Sequence, residues 1–236
     1  MVIYEPRGRA REYGKYAINI YTGCIHGCLY CYAKKWQARE VKPRPGILEM
    51  IRKDCKAFHD ETIFLCFTCD PLQEIKENIT EEVISIIKKS GNHVNILTKG
   101  KYNVKQIINL LDKDDLFGVT LTFLNQEKSK KFEPNACLPQ ERIENLRLAK
   151  ESGVKTWVSI EPVIEVKESI AVIKESMDFV DEYKIGKLNH YFSNINWGDF
   201  LRDVRKIMEE NNKRYYLKED LKKYDKRAEF YRKIKK

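Results

Sequence analysis

Short runs rich in β-branched and aromatic residues alternate along this chain with stretches whose apolar positions recur every three or four residues, the periods of strand and helix respectively. Strands are predicted at about 17–21, Thr62-Ile63-Phe64-Leu65-Cys66-Phe67, 93–97, Gly118-Val119-Thr120-Leu121-Thr122-Phe123, Lys155-Thr156-Trp157-Val158-Ser159-Ile160 and Tyr183-Lys184-Ile185-Gly186, with a last one at Arg214-Tyr215-Tyr216-Leu217. Pro43-Arg44-Pro45-Gly46 breaks the stretch after the first strand, and a helix follows near 47–59. Thr80 reads as the N-cap of a helix with Val83, Ile84 and Ile87 on one face. Further helices are expected at 103–112, from Pro139 (carrying Ile143, Leu146 and Ala149) to a stop at Gly153, and at 197–210. Alternating βα units predict an α/β fold with a parallel sheet, here a partial (β/α)6 barrel of the TIM type. In such barrels functional side chains gather at the C-terminal ends of the strands.

At 236 residues the chain is long enough for one compact domain, which we place at 1–217 with a basic helical tail at 218–236. Lys and Arg outnumber Asp and Glu by 44 to 35, a formal charge of +9 that favours polyanionic partners, nucleic acid among them. Much of the excess lies in the tail, where Lys222-Lys223, Lys226-Arg227 and Arg232-Lys233 alternate with Tyr224, Phe230 and Tyr231. Either a terminal helix docked by its aromatic stripe or a nucleic-acid-binding face fits that pattern. Apolar runs such as Val94-Asn95-Ile96-Leu97 are too short to span a bilayer, and the N-terminus has no apolar signal core, so a cytoplasmic protein is expected. Seven cysteines, an odd and low count, argue for a reducing compartment over a disulfide framework.

Three of those cysteines stand within eight residues, Cys24-Ile25-His26-Gly27-Cys28-Leu29-Tyr30-Cys31, directly after the first predicted strand. A [4Fe–4S] cube takes four ligands, usually thiolates, so three thiolates in one short loop leave one iron open. Structural zinc instead closes with four ligands in two pairs. Cys66-Phe67-Thr68-Cys69 is a nearby C-x2-C that keeps a zinc reading open, and His26 is a further candidate ligand although wedged between two others.

The C-x3-C-x2-C spacing, the preceding strand, the aromatic Tyr30 before the last cysteine and the following Tyr32-Ala33 resemble the radical S-adenosylmethionine (SAM) enzymes. Several segments on either side of the loop resemble the spore photoproduct lyase branch of that superfamily. They are Tyr4-Glu5-Pro6-Arg7-Gly8-Arg9-Ala10, Glu12-Tyr13, Thr68-Cys69-Asp70-Pro71-Leu72-Gln73, Leu97-Thr98-Lys99, Phe132-Glu133-Pro134 and Glu141-Arg142-Ile143, covering about residues 4–165.

This resemblance implies the radical SAM core fold, a [4Fe–4S] cluster on Cys24, Cys28 and Cys31, and SAM on the fourth iron. It further implies reductive cleavage of SAM to a 5′-deoxyadenosyl radical, hydrogen abstraction from a substrate, and a flavodoxin- or ferredoxin-type electron donor. Tyr30 is expected near the adenine, Thr68, Cys69 and Asp70 near the methionyl amine, Lys99 at the carboxylate, and Thr122 at the ribose or methionyl group. Asp70 before Pro71 also reads as a turn former, and Lys99 before Gly100 as a loop charge. Glu161, before Pro162, points to the barrel mouth as a substrate or SAM ligand, or caps the next helix. The lyase has a hydrogen-returning cysteine where this chain aligns Phe67. Cys69 is the candidate displaced hydrogen donor, and alternation along the strand sends Cys66 to the face opposite Phe67. A lyase-like radical enzyme acting on nucleic acid, with a reaction other than spore photoproduct repair itself, is therefore expected; a radical enzyme for a peptide or small metabolite, or a non-catalytic iron–sulfur or zinc module, are the alternatives.

Overall fold

The computed structural model describes residues 1–189 and 193–225. Seven parallel strands form one sheet in chain order, β1 Tyr16–Ile18, β2 Thr62–Leu65, β3 His93–Thr98, β4 Leu116–Thr120, β5 Lys155–Val163, β6 Glu182–Lys187 and β7 Arg214–Leu217. The connecting helices are α1 Ile47–Asp54, α2 Thr80–Lys89, α3 Val104–Asn109, α4 Gln126–Phe132, α5 Pro139–Glu151, α6 Val166–Ser176 and α7 Trp197–Glu210, with the short α8 Glu219–Lys222 after β7. The α/β partial barrel expected from the alternation is the observed fold, and the seventh strand is the one anticipated at Arg214–Leu217. None of the helices among the described residues is long and apolar enough to cross a membrane.

Strand alternation sorts the core into two parts. Ile63, Leu65, Val94, Ile96, Phe117, Val119, Val158, Ile160, Tyr183 and Ile185 pack outward against the helices. Ala17, Phe64 and Trp157 face inward with Tyr13, Phe67, Leu97 and Leu116 and fill the barrel floor. The Trp157 indole crosses this interior over Gly118, where a Cβ would collide with it, and donates from Nε1 to Asn95 Oδ1 at 2.9 Å.

The edges β1 and β7 do not pair with each other, and the N-terminal segment closes the gap. Tyr4 pairs with Ala17 of β1, while Glu12 Oε1 accepts from Tyr216 Oη of β7 at 3.3 Å and from Glu219 N just beyond that strand at 2.8 Å. Arg9 completes the seam with Asp220.

Three expectations shift. β1 ends at Ile18 and β2 at Leu65 because Asn19 Oδ1 takes the amides of Phe67 and Thr68, both at 2.8 Å, in place of a ladder. β4 runs earlier, over Leu116–Thr120, since after Leu121 N bonds Ser159 O at 3.1 Å the chain leaves the sheet to pack Phe123 on Phe132. Thr80 opens α2 without capping it. Its hydroxyl bonds Pro71 O at 2.5 Å and Tyr21 Oη at 2.9 Å, and Asn78 Oδ1 receives the Thr80 amide at 3.0 Å. Helices α4 and α6 were not anticipated; α4 is a polar seven-residue piece, whereas α6 carried a legible Ile170, Val172, Ile173 stripe. Of the basic tail, residues 226–236 lie outside the described residues.

Candidate active site

A cavity of about 320 Å³ opens at the C-terminal ends of the strands. Cys24, Cys28 and Cys31 all line it, on the loop that follows β1. The loop is clamped from outside. The buried Gln73 side chain accepts from Ile25 N at 2.9 Å and donates to Gly23 O at 3.1 Å. Asn135 Nδ2 donates to Ile25 O at 2.9 Å, Leu29 N bonds Phe132 O at 2.8 Å, and Gly27 turns the chain at φ +65°. With its backbone bonded elsewhere, the loop presents free sulfurs to the cavity.

Burial pushes the Cys24 thiol well above its ordinary range. Burial also raises Cys28, to about 11, although Lys99 opposes it. Such thiols ionise when a metal displaces their protons. Among the described residues no three cysteine sulfurs fall within 4.8 Å of one another; the trio meeting that spacing is His93, Asp112 and Asp115, away from the cavity. His26 is buried with Nδ1 3.5 Å from Asp70 Oδ2.

The remaining candidates separate by what they already hold. Lys99 is largely buried, its ammonium 5.7 Å from the Tyr30 ring centroid, and no ion pair or hydrogen bond engages that ammonium among the described residues. Burial alone would lower its pKa, but Cys28 and Glu133 raise it, so it stays charged. The Thr68 hydroxyl lies in the cavity wall, buried and without a partner. A free cation and an orphaned hydroxyl beside three thiols fit a ligand with a carboxylate and polar groups. Asp70, in contrast, is occupied. Its Oδ1 accepts from Thr98 Oγ1 at 2.6 Å and Leu72 N at 2.9 Å, and its Oδ2 from Lys99 N at 2.7 Å, tying the ends of β2 and β3 together.

Tyr30 lines the cavity and donates its hydroxyl to Glu133, which pairs with Arg142 at 2.6 Å. Both partners of that pair are 1% exposed. Arg142 also anchors Cys137 O and Thr120 O, at 2.9 and 2.8 Å. Thr122 lies behind the wall, fully buried, with its hydroxyl 3.4 Å from both Tyr30 Oη and Glu133 Oε1, and Thr120 lines the cavity instead.

Cys66, Phe67 and Cys69 all line the same cavity, so the opposite-face expectation for Cys66 is corrected: β2 has ended at Leu65, and alternation no longer applies. Burial and contact with Cys69 raise the Cys66 thiol. For Cys69, burial is outweighed by hydrogen bonds from Cys66 and from the backbone around Tyr21, and its pKa falls.

Glu161 does reach the mouth, but toward protein partners: its Oε2 is 2.6 Å from both Tyr13 Oη and Lys218 Nζ. It does not cap α6, whose N-cap is Glu165. Lys218, assigned from sequence to the tail, lies buried in the cavity wall with its ammonium 3.4 Å from the Tyr13 ring centroid. Sequence reasoning missed Tyr13, Lys218 and the clamp Gln73 as site residues, since partners 148 and 57 positions apart leave no local pattern.

The family model described as the Radical SAM superfamily matches residues 18–180. An uncharacterized protein, MJ0683 of Methanocaldococcus jannaschii, is 28% identical over 216 residues, 84% of this chain and 76% of its own length. ORF301 of Acidianus two-tailed virus, also uncharacterized, is 26% identical over 74% of this chain and 67% of its own. Among solved structures, spore photoproduct lyase complexed with dinucleoside spore photoproduct superposes with a TM-score of 0.66 at 13% identity, covering 91% of this chain and 79% of the lyase. Streptococcus suis SuiB bound to S-adenosylmethionine gives 0.69 at 12% identity over 85% of this chain. The chain spans about half of SuiB, 49% of its length.

Proposed function

The chain belongs to the radical SAM superfamily, and from that premise we propose that it is a radical SAM enzyme whose Cys24, Cys28 and Cys31 hold a [4Fe–4S] cluster in the barrel mouth. The observation that carries this reading is the convergence on one cavity of those three thiols with a Lys99 ammonium and a Thr68 hydroxyl that have no hydrogen-bond or ion-pair partner among the described residues. When bound, the cluster and SAM supply the reductive cleavage that yields a 5′-deoxyadenosyl radical. The chain's own contribution is positional. Lys99 neutralises the methionyl carboxylate, Thr68 receives the amine side, and Tyr30, held by Glu133, offers a flat wall to the adenine. Asp70 acts through Lys99 by fixing its backbone, and Cys69, whose thiol lines the cavity, is assigned as the donor that passes its S–H hydrogen atom to the product radical and is left as a thiyl radical.

For the substrate we favour nucleic acid. The lip of the cavity carries Lys187, whose ammonium lies 5.7 and 5.2 Å from the Trp197 and Tyr224 ring centroids and donates to Tyr224 Oη at 3.3 Å. A cation beside the exposed Tyr224 ring suits a phosphate and an extruded base. The fold similarity to spore photoproduct lyase and the +9 charge support this reading.

Anaerobic reconstitution tests the first part. A brown protein absorbing near ~400 nm is expected, releasing 5′-deoxyadenosine from SAM with dithionite. A colourless protein holding zinc at full occupancy would sink it. For the second part, short DNA and RNA oligonucleotides are expected to bind at low salt and change the rate of SAM cleavage; if neither does so, the nucleic-acid substrate is wrong and a peptide or small metabolite takes its place.

A further inference from the structure

Two further cysteines face the cavity that holds the three thiols of the loop. Cys66 and Cys69 line its wall from the segment after β2, whereas Cys55 and Cys137 do not reach it. β2 ends at Leu65, and Asn19 Oδ1 takes the Phe67 and Thr68 amides, both at 2.8 Å, so the chain bends over 67–69 and turns both sulfurs to one side. The two thiols hydrogen-bond to each other, and each also meets the backbone of Ile20. Both are buried and neither is in a disulfide. A thiol pair in contact at C-x2-C spacing has a reaction that a single thiol lacks, closure to a disulfide.

The bend that carries the pair belongs to the reacting end of the cavity. Thr68, between the two cysteines, lines the wall with its hydroxyl unpartnered, so a group that engages it lies one residue from Cys69. Phe67, the other residue between them, has no O–H or S–H hydrogen to give. A radical left on the Cys69 sulfur therefore has, already in contact, a second sulfur that can bond to it.

We propose that Cys66 is a second catalytic thiol, which captures the radical left on Cys69 and closes with it to a disulfide, so that each turnover consumes a dithiol. The proposal rests on the hydrogen-donor reading of Cys69 above. The Cys69 S–H hydrogen atom passes to the product radical. The thiyl sulfur then bonds the Cys66 sulfur as the Cys66 proton leaves to solvent. The disulfide radical anion so formed passes its surplus electron to the cluster, which SAM cleavage leaves one electron short. Two thiols thus become one disulfide, with one hydrogen atom in the product, one proton in solvent and one electron on the cluster. A dithiol reductant, acting by exchange from the cavity mouth, restores the pair.

The first test uses the iron-free full chain, equilibrated anaerobically in mixtures of reduced and oxidised dithiothreitol, alkylated and cut with trypsin. Residues 57–76 form one tryptic peptide whose cysteines are Cys66 and Cys69, and the loop thiols fall on another, 16–34. The 57–76 peptide is expected to close, two hydrogens lighter and with neither sulfur alkylated, and Cys66→Ser should abolish this. A 57–76 peptide alkylated at both sulfurs throughout the series overturns the proposal. So does a cross-link from it to 16–34, which would make the pair a partner of the loop instead. The second test generates thiyl radicals by pulse radiolysis in the full chain carrying Cys24→Ala, Cys28→Ala and Cys31→Ala, which removes the competing thiols of the loop. The transient absorption of a disulfide radical anion is expected, and it should be lost when Cys66→Ser is added. Thiyl decay without that transient, in the chain that keeps both Cys66 and Cys69, overturns the capture step. Both readouts are taken without iron, so a failure to hold a cluster strikes the reading of the site, while the fate of the dithiol is decided by its own measurements.

Discussion

Lys218 Nζ and Glu161 Oε2 lie 2.6 Å apart, joining the residue after β7 to the end of β5 across the wall of the cavity. The pair is mostly buried, and Tyr13 from the N-terminal segment completes it. Three elements that share no sequence neighbourhood thus meet where the barrel would otherwise stand open.

Removing one partner strands the other. Lys218→Met or Glu161→Gln alone is expected to cost about 2–4 kcal/mol, somewhat less than a fully buried pair because Glu161 keeps some solvent contact. The double variant should recover part of that loss. Urea unfolding of the two singles and the double decides this, and additive losses would mean that the pair is not coupled.

Glu133 gives the fold a defined acid sensitivity. Burial would raise its pKa, but Arg142 and then Lys99 more than reverse this, so it titrates below its ordinary 4.5 when folded. A carboxylate depressed in the folded state contributes its stability in full above the unfolded pKa and loses it as pH falls through the folded one. Wild-type stability should therefore decline below about pH 4.5. Glu133→Gln should be about 3–5 kcal/mol less stable at pH 7, with Arg142 left buried and unpaired, and its acid slope shallower. Equal slopes in chemical unfolding between pH 3 and 5 would refute this.

Lys99 carries the expected binding of the SAM carboxylate. Lys99→Met should weaken SAM by about 10- to 100-fold, the worth of one charge-assisted bond in a desolvated site, with absorbance of the reconstituted protein near ~400 nm unchanged. Isothermal titration with SAM reads the first and a spectrum the second. Wild-type affinity in the variant would remove Lys99 from the binding site.

Gly118 is required for packing. An added methyl would overlap the Trp157 indole, so Gly118→Ala is expected to cost about 1–3 kcal/mol or more by overpacking. Trp157→Phe in the same chain should relieve part of that cost, since the two positions share one space. Thermal melts of the three variants provide the measurement, and a neutral Gly118→Ala would show that the floor can yield.

The βα alternation placed every strand to within a few residues, because parallel strands covered by helices announce themselves as short apolar runs. Where the edges moved, a side chain had taken the ladder's place, as Asn19 does for Phe67 and Thr68. The cysteine loop was legible for the same local reason: ligands within eight residues need only one turn of chain to converge. Asp70 and Thr122 were legible as site neighbours but not in their duties, which depend on contacts made across strands.

Local order alone thus determined the parallel βα architecture and the placement of Cys24, Cys28 and Cys31 at a strand end. Tertiary structure decided which cations remain free and which are spent. Among the described residues the Lys99 ammonium has no ion-pair partner, Arg142 is locked to Glu133, and Lys218 is drawn from an apparent tail into the wall by Glu161. The physical reason is that a charge's role depends on partners and burial fixed by the closing of the barrel, and those partners are scattered along the chain.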